Sequence, residues 1–138
     1  MAERTATALD LMDAFNNRDL ERATQHLHPE YEATWPHGHL AGPDAMAHEL
    51  GILAALPDLR MDVRRATATD DGVLVEVRAV GTHTGDWTSP SGEHFPASNR
   101  SIDAPMAFVM VFEGDLVRAE RLYFDQHTLH DSLRRLPA

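Results

Sequence analysis

The hydrophobic pattern of this chain changes its period near Asp58. Before that point, apolar residues recur at helical spacing, as Ala8, Leu11, Met12 and Phe15 do. After it, apolar and polar residues alternate in four segments that read RMDVRRATA, VLVEVRAVGTH, SIDAPMAFVMVF and LVRAERLYF. Helices followed by a meander of strands predict an α+β fold, in which a curved antiparallel sheet carries helices on one face.

Cap and turn residues divide the chain in agreement with that fold. Asp19 can cap a short second helix, and Pro43 suits the first turn of a third helix. Segments 70–72 (Asp-Asp-Gly) and 113–115 (Glu-Gly-Asp) predict hairpin turns. The stretch TGDWTSPSGEHFPASN, from Thr84 to Asn99, predicts a long irregular loop of the kind that often forms a functional rim or lid.

Composition excludes several classes of partner and mechanism. The formal net charge of -10 disfavours nucleic acid and anionic membranes as partners. The chain has no cysteine, and all 12 basic residues are arginine, so disulfides, thiolate chemistry and a lysine Schiff base are impossible. No apolar run approaches the roughly 20 residues that a membrane-spanning helix needs. We therefore expect one soluble, cytoplasmic domain over residues 1–138.

Three stretches resemble the SnoaL-like polyketide cyclases, within the nuclear-transport-factor-2-like superfamily of cone-shaped folds. They are LPDLRMDV after a helix, GTHTGDW at the end of a strand and LVRAERLYFDQHTL near the C-terminus. The resemblance implies a cone-shaped α+β barrel, in which the curved sheet and N-terminal helices enclose an apolar cavity. It also implies a small hydrophobic substrate, catalysis without a cofactor or metal, and homodimerisation through the outer face of the sheet.

The resemblance also points to particular residues. In the cyclases, an aspartate on the last strand is the acid/base of an intramolecular aldol closure, and Asp125 matches it in position. Related epoxide hydrolases pair that aspartate with Arg-x-Asp, where residues 78–80 here read Arg-Ala-Val. Ketosteroid isomerases use a base on the first strand, where ATWPHG has no carboxylate. Val109 and Val111 stand where the cyclases have polar partners, so the substrate contacts are expected to differ.

Asp125 has two interpretations. An aspartate before a helix commonly caps it by accepting a backbone N–H two or three residues on. Strand alternation also puts Arg121, Tyr123 and Asp125 on one face. If that face lines the cavity, burial raises the pKa of the Asp125 carboxyl from about 3.9 toward the range of a general base. The resemblance favours the catalytic interpretation.

Neighbouring polar residues are candidate contributors to the same site. Tyr123 and Arg121 can stabilise a developing enolate, or they are a packed aromatic and a solvated charge. Asp103 shares the strand parity of the two valines and is expected near the sheet edge, as a surface residue or a substrate contact. His83 matches the family's Gly-Thr-His-x-Gly stretch and is expected at the cavity mouth, unless it is only a turn residue.

Aromatic and histidine side chains complete the candidates. Trp35, Trp87 and Phe95 can stack on a flat substrate. Core packing is the alternative for Trp35, whereas the other two lie among Gly, Ser and Pro and favour a pocket rim. His37 and His39 have no third ligand at a recognisable spacing, so no metal site is predicted.

These observations predict a cofactor-independent acid/base enzyme acting on a hydrophobic, polycyclic aromatic carbonyl compound, as an aldol-type polyketide cyclase does. Asp125, Tyr123 and His83 are the predicted catalytic residues. Isomerase, dehydratase or epoxide-hydrolase-like chemistry and a non-catalytic small-molecule-binding module are the alternatives. The absence of lysine, with many alanines and arginines, is typical of high-GC genomes and agrees with secondary metabolism. Predicted substrate contacts are Trp35, Trp87, Phe95, Asp103, Val109, Val111 and Arg121.

Overall fold

The computed structural model describes residues 2–36, 38–89 and 92–134, which form helices packed on one face of a curved six-stranded sheet. The helices are α1 (Ala2–Asn16), α2 (Leu20–Gln25), α3 (Pro43–Ala55) and α4 (Gln126–Leu133). The strands are β1 (Leu27–Trp35), β2 (Gly38–Ala41), β3 (Arg60–Ala68), β4 (Gly72–Thr82), β5 (Trp87–Thr88), β6 (His94–Phe95), β7 (Ser101–Glu113) and β8 (Leu116–Tyr123).

The sheet confirms the predicted α+β class and its curved, mainly antiparallel sheet. Its strand order is β2-β1-β8-β7-β4-β3, and the β1–β8 pair is parallel. Register shifts interrupt the ladders between Val63 and Arg65 and between Val111 and Phe112. Such irregularities increase the local twist of a sheet and help it to curve around the helices.

The predicted caps and turns are present. Asp19 accepts a hydrogen bond of 3.1 Å from the backbone N–H of Arg22 at the start of α2. Pro43 occupies the first turn of α3. Gly114, in the turn between β7 and β8, has φ of 62°, a conformation that costs glycine little because it has no Cβ.

The core lies between the inner face of the sheet and the helices. β1 turns Tyr31, Ala33 and Trp35 inward, and all three are buried. α1 packs against β3, β4 and α2, and Ala8 and Met12 of its predicted stripe are fully or almost fully buried. No helix in the described part of the chain is long and apolar enough to cross a membrane.

The segment predicted to be an irregular loop contains a short hairpin, β5–β6, and is attached to the end of α3. The backbone N–H groups of Thr84 and Gly85 both donate to the carbonyl of Ala55, at 3.1 and 3.0 Å. A Cβ at position 85 would lie 2.4 Å from the carbonyl oxygen of Ala54, so only glycine fits there. This attachment holds the hairpin over the interior of the fold.

Candidate active site

A two-chambered cavity between sheet and helices is the candidate site. The carboxyl chamber, which contains Glu49 and Glu120, has a volume of about 90 Å³, and the aromatic chamber, which contains His48 and Trp87, about 80 Å³. Because one water needs roughly 10–15 Å³, each chamber has room for several waters or about one ring. The two chambers meet at side chains that line both, namely Trp35, Ile52, Met61 and Leu122.

The polar groups of the carboxyl chamber come from three elements. Tyr31 lies on β1, Glu49 on α3 and Glu120 on β8. The Tyr31 hydroxyl donates a hydrogen bond of 2.7 Å to Oε2 of Glu120. The other described lining residues are apolar apart from the Trp35 indole, and none of them is cationic. Both carboxyl groups therefore border the same apolar space, and no described lining residue supplies a neutralising charge.

The two carboxyl groups have raised pKa values. Burial, and next the negative charge of Glu120, raises the pKa of Glu49 from 4.5 to about 8. Burial also raises the pKa of Glu120, and the hydrogen bond from Tyr31 partly opposes that rise. Both residues are half-buried and line the same apolar chamber. Water has only limited access to either group, and this disfavours their charged forms.

The two carboxyl groups are therefore suited to different roles, Glu49 to that of an acid and Glu120 to that of a base. Like charges in one apolar chamber repel, so the two carboxyl groups do not ionise together easily. The hydrogen bond from Tyr31 stabilises the ionised form of Glu120, while Glu49 keeps its proton. Burial, and next the charge of Glu120, raises the pKa of Tyr31 well above its usual value, so this hydroxyl stays a donor.

Such a pair can move two protons at once on a bound carbonyl compound. The Glu120 carboxylate can remove a proton from the carbon next to the carbonyl, and the Glu49 acid can protonate the carbonyl oxygen. The C–H electron pair becomes the C=C bond of the enol, and the carbonyl π electrons take the proton from Glu49. A positioned acid and base of suitable pKa typically contribute 10²–10⁴-fold each to such a step.

Aromatic rings line the other chamber. The His48 ring lies edge-on to Trp35, with centroids 4.5 Å apart, and 6.3 Å from the ring of Trp87. Trp87 stacks on Phe95 at 5.4 Å, and His130 of α4 packs edge-on against both. Burial lowers the pKa of His48, so its imidazole is neutral at physiological pH. No acidic or arginine side chain from the described residues lines this chamber.

Asp125 lies outside this cavity. It caps α4, with Oδ1 accepting from the Thr128 backbone N–H at 3.1 Å and Oδ2 accepting from the Thr128 hydroxyl at 2.7 Å. The Thr128 hydroxyl, and next its backbone N–H, lowers the pKa of Asp125. The carboxyl is exposed and borders a surface groove with Ile102 and Ser132. The expected raised pKa of a desolvated carboxyl is therefore not found.

The face that was expected to line the cavity is the outer face of the sheet. Along β8, Glu120 and Leu122 point inward, and Arg121 and Tyr123 point outward. Tyr123 is 55% exposed. Val109 pairs with Arg121 in the ladder, and the neighbouring outward positions of β7 and β8 pair Val111 with Ala119. The alternation along β8 therefore has the predicted period, but the face that was expected to line the cavity points outward.

Asp103 lies on the surface, as one of its two interpretations expected, whereas His83 does not lie at a cavity mouth. Asp103 is exposed near the start of β7, where it accepts a hydrogen bond of 2.7 Å from Nε of Arg78. His83 has no exposed surface and does not line either chamber. Its Nδ1 lies 2.9 Å from the hydroxyl of Ser98, and its backbone N–H donates to Arg100. Asp103 is thus the surface residue of its two interpretations. His83 has a structural role and not a place at the cavity mouth.

The aromatic candidates are partly brought together. Trp35 and Trp87 line the aromatic chamber, whereas Phe95 is 2% exposed and supports Trp87 from behind. His37 lies outside the described residues. His39 Nδ1 is 2.9 Å from the Thr34 hydroxyl. Within the described ranges, no three metal-ligating side chains are grouped as a metal site.

Sequence reasoning missed Glu49 and Glu120, although each leaves a signal. Glu120 alternates with Leu122 and Phe124, so it is a carboxylate on the apolar side of a strand. Glu49 falls at helical spacing with cavity-lining residues before and after it, Ala45 and Ile52. An acidic residue within an apolar stripe is unusual, because burial disfavours its charge, and such a residue is a candidate for a functional site.

Comparison with known proteins identifies the fold family. The family model of the SnoaL-like domain matches residues 8–120. No curated protein sequence matches the chain. A protein from Jannaschia sp. CCS1, proposed to be a SnoaL-like polyketide cyclase, superposes with a TM-score of 0.84 at 20% identity, covering 99% of this chain and 94% of that one.

Two other solved structures are similar over nearly their full lengths. AclR, a proposed hydroxylase from Streptomyces galilaeus, has a TM-score of 0.81 and 23% identity, covering 100% of this chain and 89% of its own. TerC, crystallised with polyporic acid, has a TM-score of 0.74 and 17% identity, covering 95% of this chain and 98% of its own. At these identities the likeness concerns the fold.

Proposed function

Because the chain belongs to the SnoaL-like domain family, we propose that it is a cofactor-independent acid/base enzyme acting on a neutral, hydrophobic carbonyl compound. The observation that carries this proposal is the Tyr31–Glu120 hydrogen bond beside Glu49 in an apolar chamber. These groups supply a base, an acid and a fixed donor without further help. Polycyclic aromatic carbonyl compounds are the substrate class that we propose first.

The reaction proposed first is formation of an enol, followed by attack of its carbon on a second carbonyl of the same molecule. Glu120 takes the α-proton, Glu49 protonates the carbonyl oxygen, and ring closure forms the new C–C bond. Isomerisation or dehydration would use the same proton transfers. This mechanism assigns the acid/base role to the carboxyl chamber instead of Asp125. We propose that the reaction belongs to secondary metabolism.

The neutral character of the substrate follows from the charges around it. No cationic side chain of the described residues lines the carboxyl chamber. An anionic substrate would therefore be desolvated there without a partner, next to Glu120. TerC, which shares this fold, was co-crystallised with polyporic acid, and this supports a small-molecule ligand for the present chain.

A direct test is exchange of α-protons in deuterated water, followed by proton NMR. Neutral bicyclic ketones such as 1-tetralone have α-hydrogens and a size suited to the chambers. We expect the wild type to accelerate exchange over buffer, and Glu120→Gln to remove that acceleration with the fold intact. Wild-type exchange at the buffer rate across a panel of such ketones would contradict the proposal.

A binding module is the second candidate, because no acidic or arginine side chain of the described residues lines the aromatic chamber. Binding of the same ketones without any accelerated exchange would favour this candidate. Small-molecule binding would then raise the melting temperature by mass action, with no product.

A homodimer through the outer face of the sheet is part of the same proposal. That face carries Ala107, Val109 and Val111 on β7, next to the exposed ring of Tyr123 on β8. An apolar strip on an exposed sheet face is a common association surface.

A further inference from the structure

His48 and Glu49 are adjacent in α3 but serve different chambers. Glu49 lines the carboxyl chamber, and His48 lines the aromatic chamber. Trp35 lines both chambers, and its ring lies 4.5 Å from the His48 ring. One helix therefore presents a proton-transfer group to one chamber and an imidazole to the other, on either side of a shared tryptophan.

The imidazole of His48 takes no part in the hydrogen bonds that hold the described part of the fold together. Neither of its ring nitrogens has a hydrogen-bond partner in the described part of the chain, and its ring packs against the rings of Trp35 and Trp87. By contrast, His26, His28, His39 and His83 all have polar partners. A half-buried histidine that packs between aromatic rings and keeps free nitrogens is available to a ligand.

The surroundings of His48 restrict the chemistry of such a ligand. Its neutral imidazole offers one donor and one acceptor. The tryptophan rings offer flat apolar surfaces, and no acidic or arginine side chain among the described residues lines this chamber. A ring with a hydroxyl or carbonyl oxygen meets all three conditions, while an anion would lose its hydration without a cation to replace it.

We propose that His48 orients the substrate by hydrogen-bonding an oxygen substituent of an uncharged aromatic ring held in the aromatic chamber. The ring lies beside His48 and against the tryptophan rings that line the chamber, and the reacting carbonyl extends past Trp35 into the carboxyl chamber. This inference rests on the proposed function for the reacting end of the molecule. It makes His48 a positioning residue that selects oxygenated, neutral rings.

Equilibrium dialysis at pH 7 with three naphthalene probes tests the inference without any reaction. 1-Naphthol carries a neutral oxygen, naphthalene carries none, and 1-naphthoate is an anion. We expect the wild type to bind 1-naphthol about 3- to 10-fold more tightly than naphthalene, the effect of one net hydrogen bond. 1-Naphthoate should bind more weakly than 1-naphthol.

His48→Phe should remove the preference for 1-naphthol while retaining naphthalene binding. His48→Leu repeats the measurement in case the larger ring distorts the chamber, and His48→Gln, which keeps a donor and an acceptor, should restore part of the preference. Equal melting temperatures identify variants that fold normally. A structural role for His48 would weaken both probes together.

Three results would overturn the inference. They are a wild type without preference for 1-naphthol, a preference that survives in both His48→Phe and His48→Leu, and a preference that disappears in Glu49→Gln instead. Failure of the proposed function is read separately, because absent α-proton exchange in 1-tetralone leaves the dialysis result unchanged.

Discussion

The Tyr31 hydroxyl and the Glu120 carboxylate are joined by a hydrogen bond of 2.7 Å, although the two residues are 89 positions apart in sequence. Parallel pairing of β1 with β8 creates this contact, since Glu120 lies opposite Ala33 in the ladder. The bond holds the carboxylate in place and favours its ionised form. In the proposed mechanism it therefore favours Glu120 as the base.

Removal of this bond should weaken the base. In Tyr31→Phe the pKa of Glu120 is expected to rise, because the ionised form loses its donor. The acidic limb of the pH profile for ketone exchange should move to higher pH, and the rate at pH 7 should fall about 3- to 10-fold, as for loss of one hydrogen bond. Proton NMR exchange rates from pH 5 to 9 measure both effects. An unchanged acidic limb would argue against Glu120 as the base.

Glu49 should make stability depend on pH in a defined window. Its pKa is raised from 4.5 to about 8, so the folded state binds a proton that the unfolded chain has released. Its contribution is fully present below pH 4.5 and is lost as pH rises through about 8. The loss amounts to a few kcal/mol at most.

Glu49→Gln removes this dependence, because the amide cannot ionise. Urea unfolding at pH 6 and at pH 9 should show that the variant loses less stability than the wild type on going to pH 9. Glu76→Gln, a substitution on an exposed position of β4, is the matched control and should behave as the wild type. Parallel losses in wild type and Glu49→Gln would mean that Glu49 is ionised and hydrated in the folded protein.

Asp125 can be tested by two substitutions with different consequences. Asparagine is also a good N-cap, so Asp125→Asn should keep both the melting temperature and the exchange activity. Alanine cannot cap, so Asp125→Ala should melt a few degrees lower, measured by circular dichroism. If Asp125→Asn kept its stability but lost exchange, Asp125 would be the acid/base after all.

The outer face of β7 and β8 should control assembly. We expect light scattering after gel filtration to give a dimer for the wild type and a monomer for Val109→Arg, since a buried guanidinium without a partner is costly at an apolar interface. Asp70→Arg, in the exposed turn between β3 and β4, introduces the same side chain elsewhere and should leave the dimer intact. A monomeric wild type would contradict this part of the proposal.

Local patterns in the sequence carried most of the information about the fold. Asp19, Pro43 and the Glu113–Asp115 turn mark boundaries that the structure confirms, because caps and turns depend on a few neighbouring residues. Alternation along β8 was also correct as a pattern. The pattern did not identify the inner face of the strand, because Leu122 on one face and Tyr123 on the other are both residues that can be buried.

The sequence by itself determined an α+β fold, because hydrophobic periodicity and turn chemistry are local properties. The family, and with it the expectation of an apolar cavity, came from the resemblance of three stretches to the SnoaL-like cyclases. The tertiary structure alone decided which carboxyl groups share that cavity. Tyr31, Glu49 and Glu120 come from three distant segments, and only strand pairing and helix packing bring them together. Burial then sets their pKa values, which no local pattern encodes.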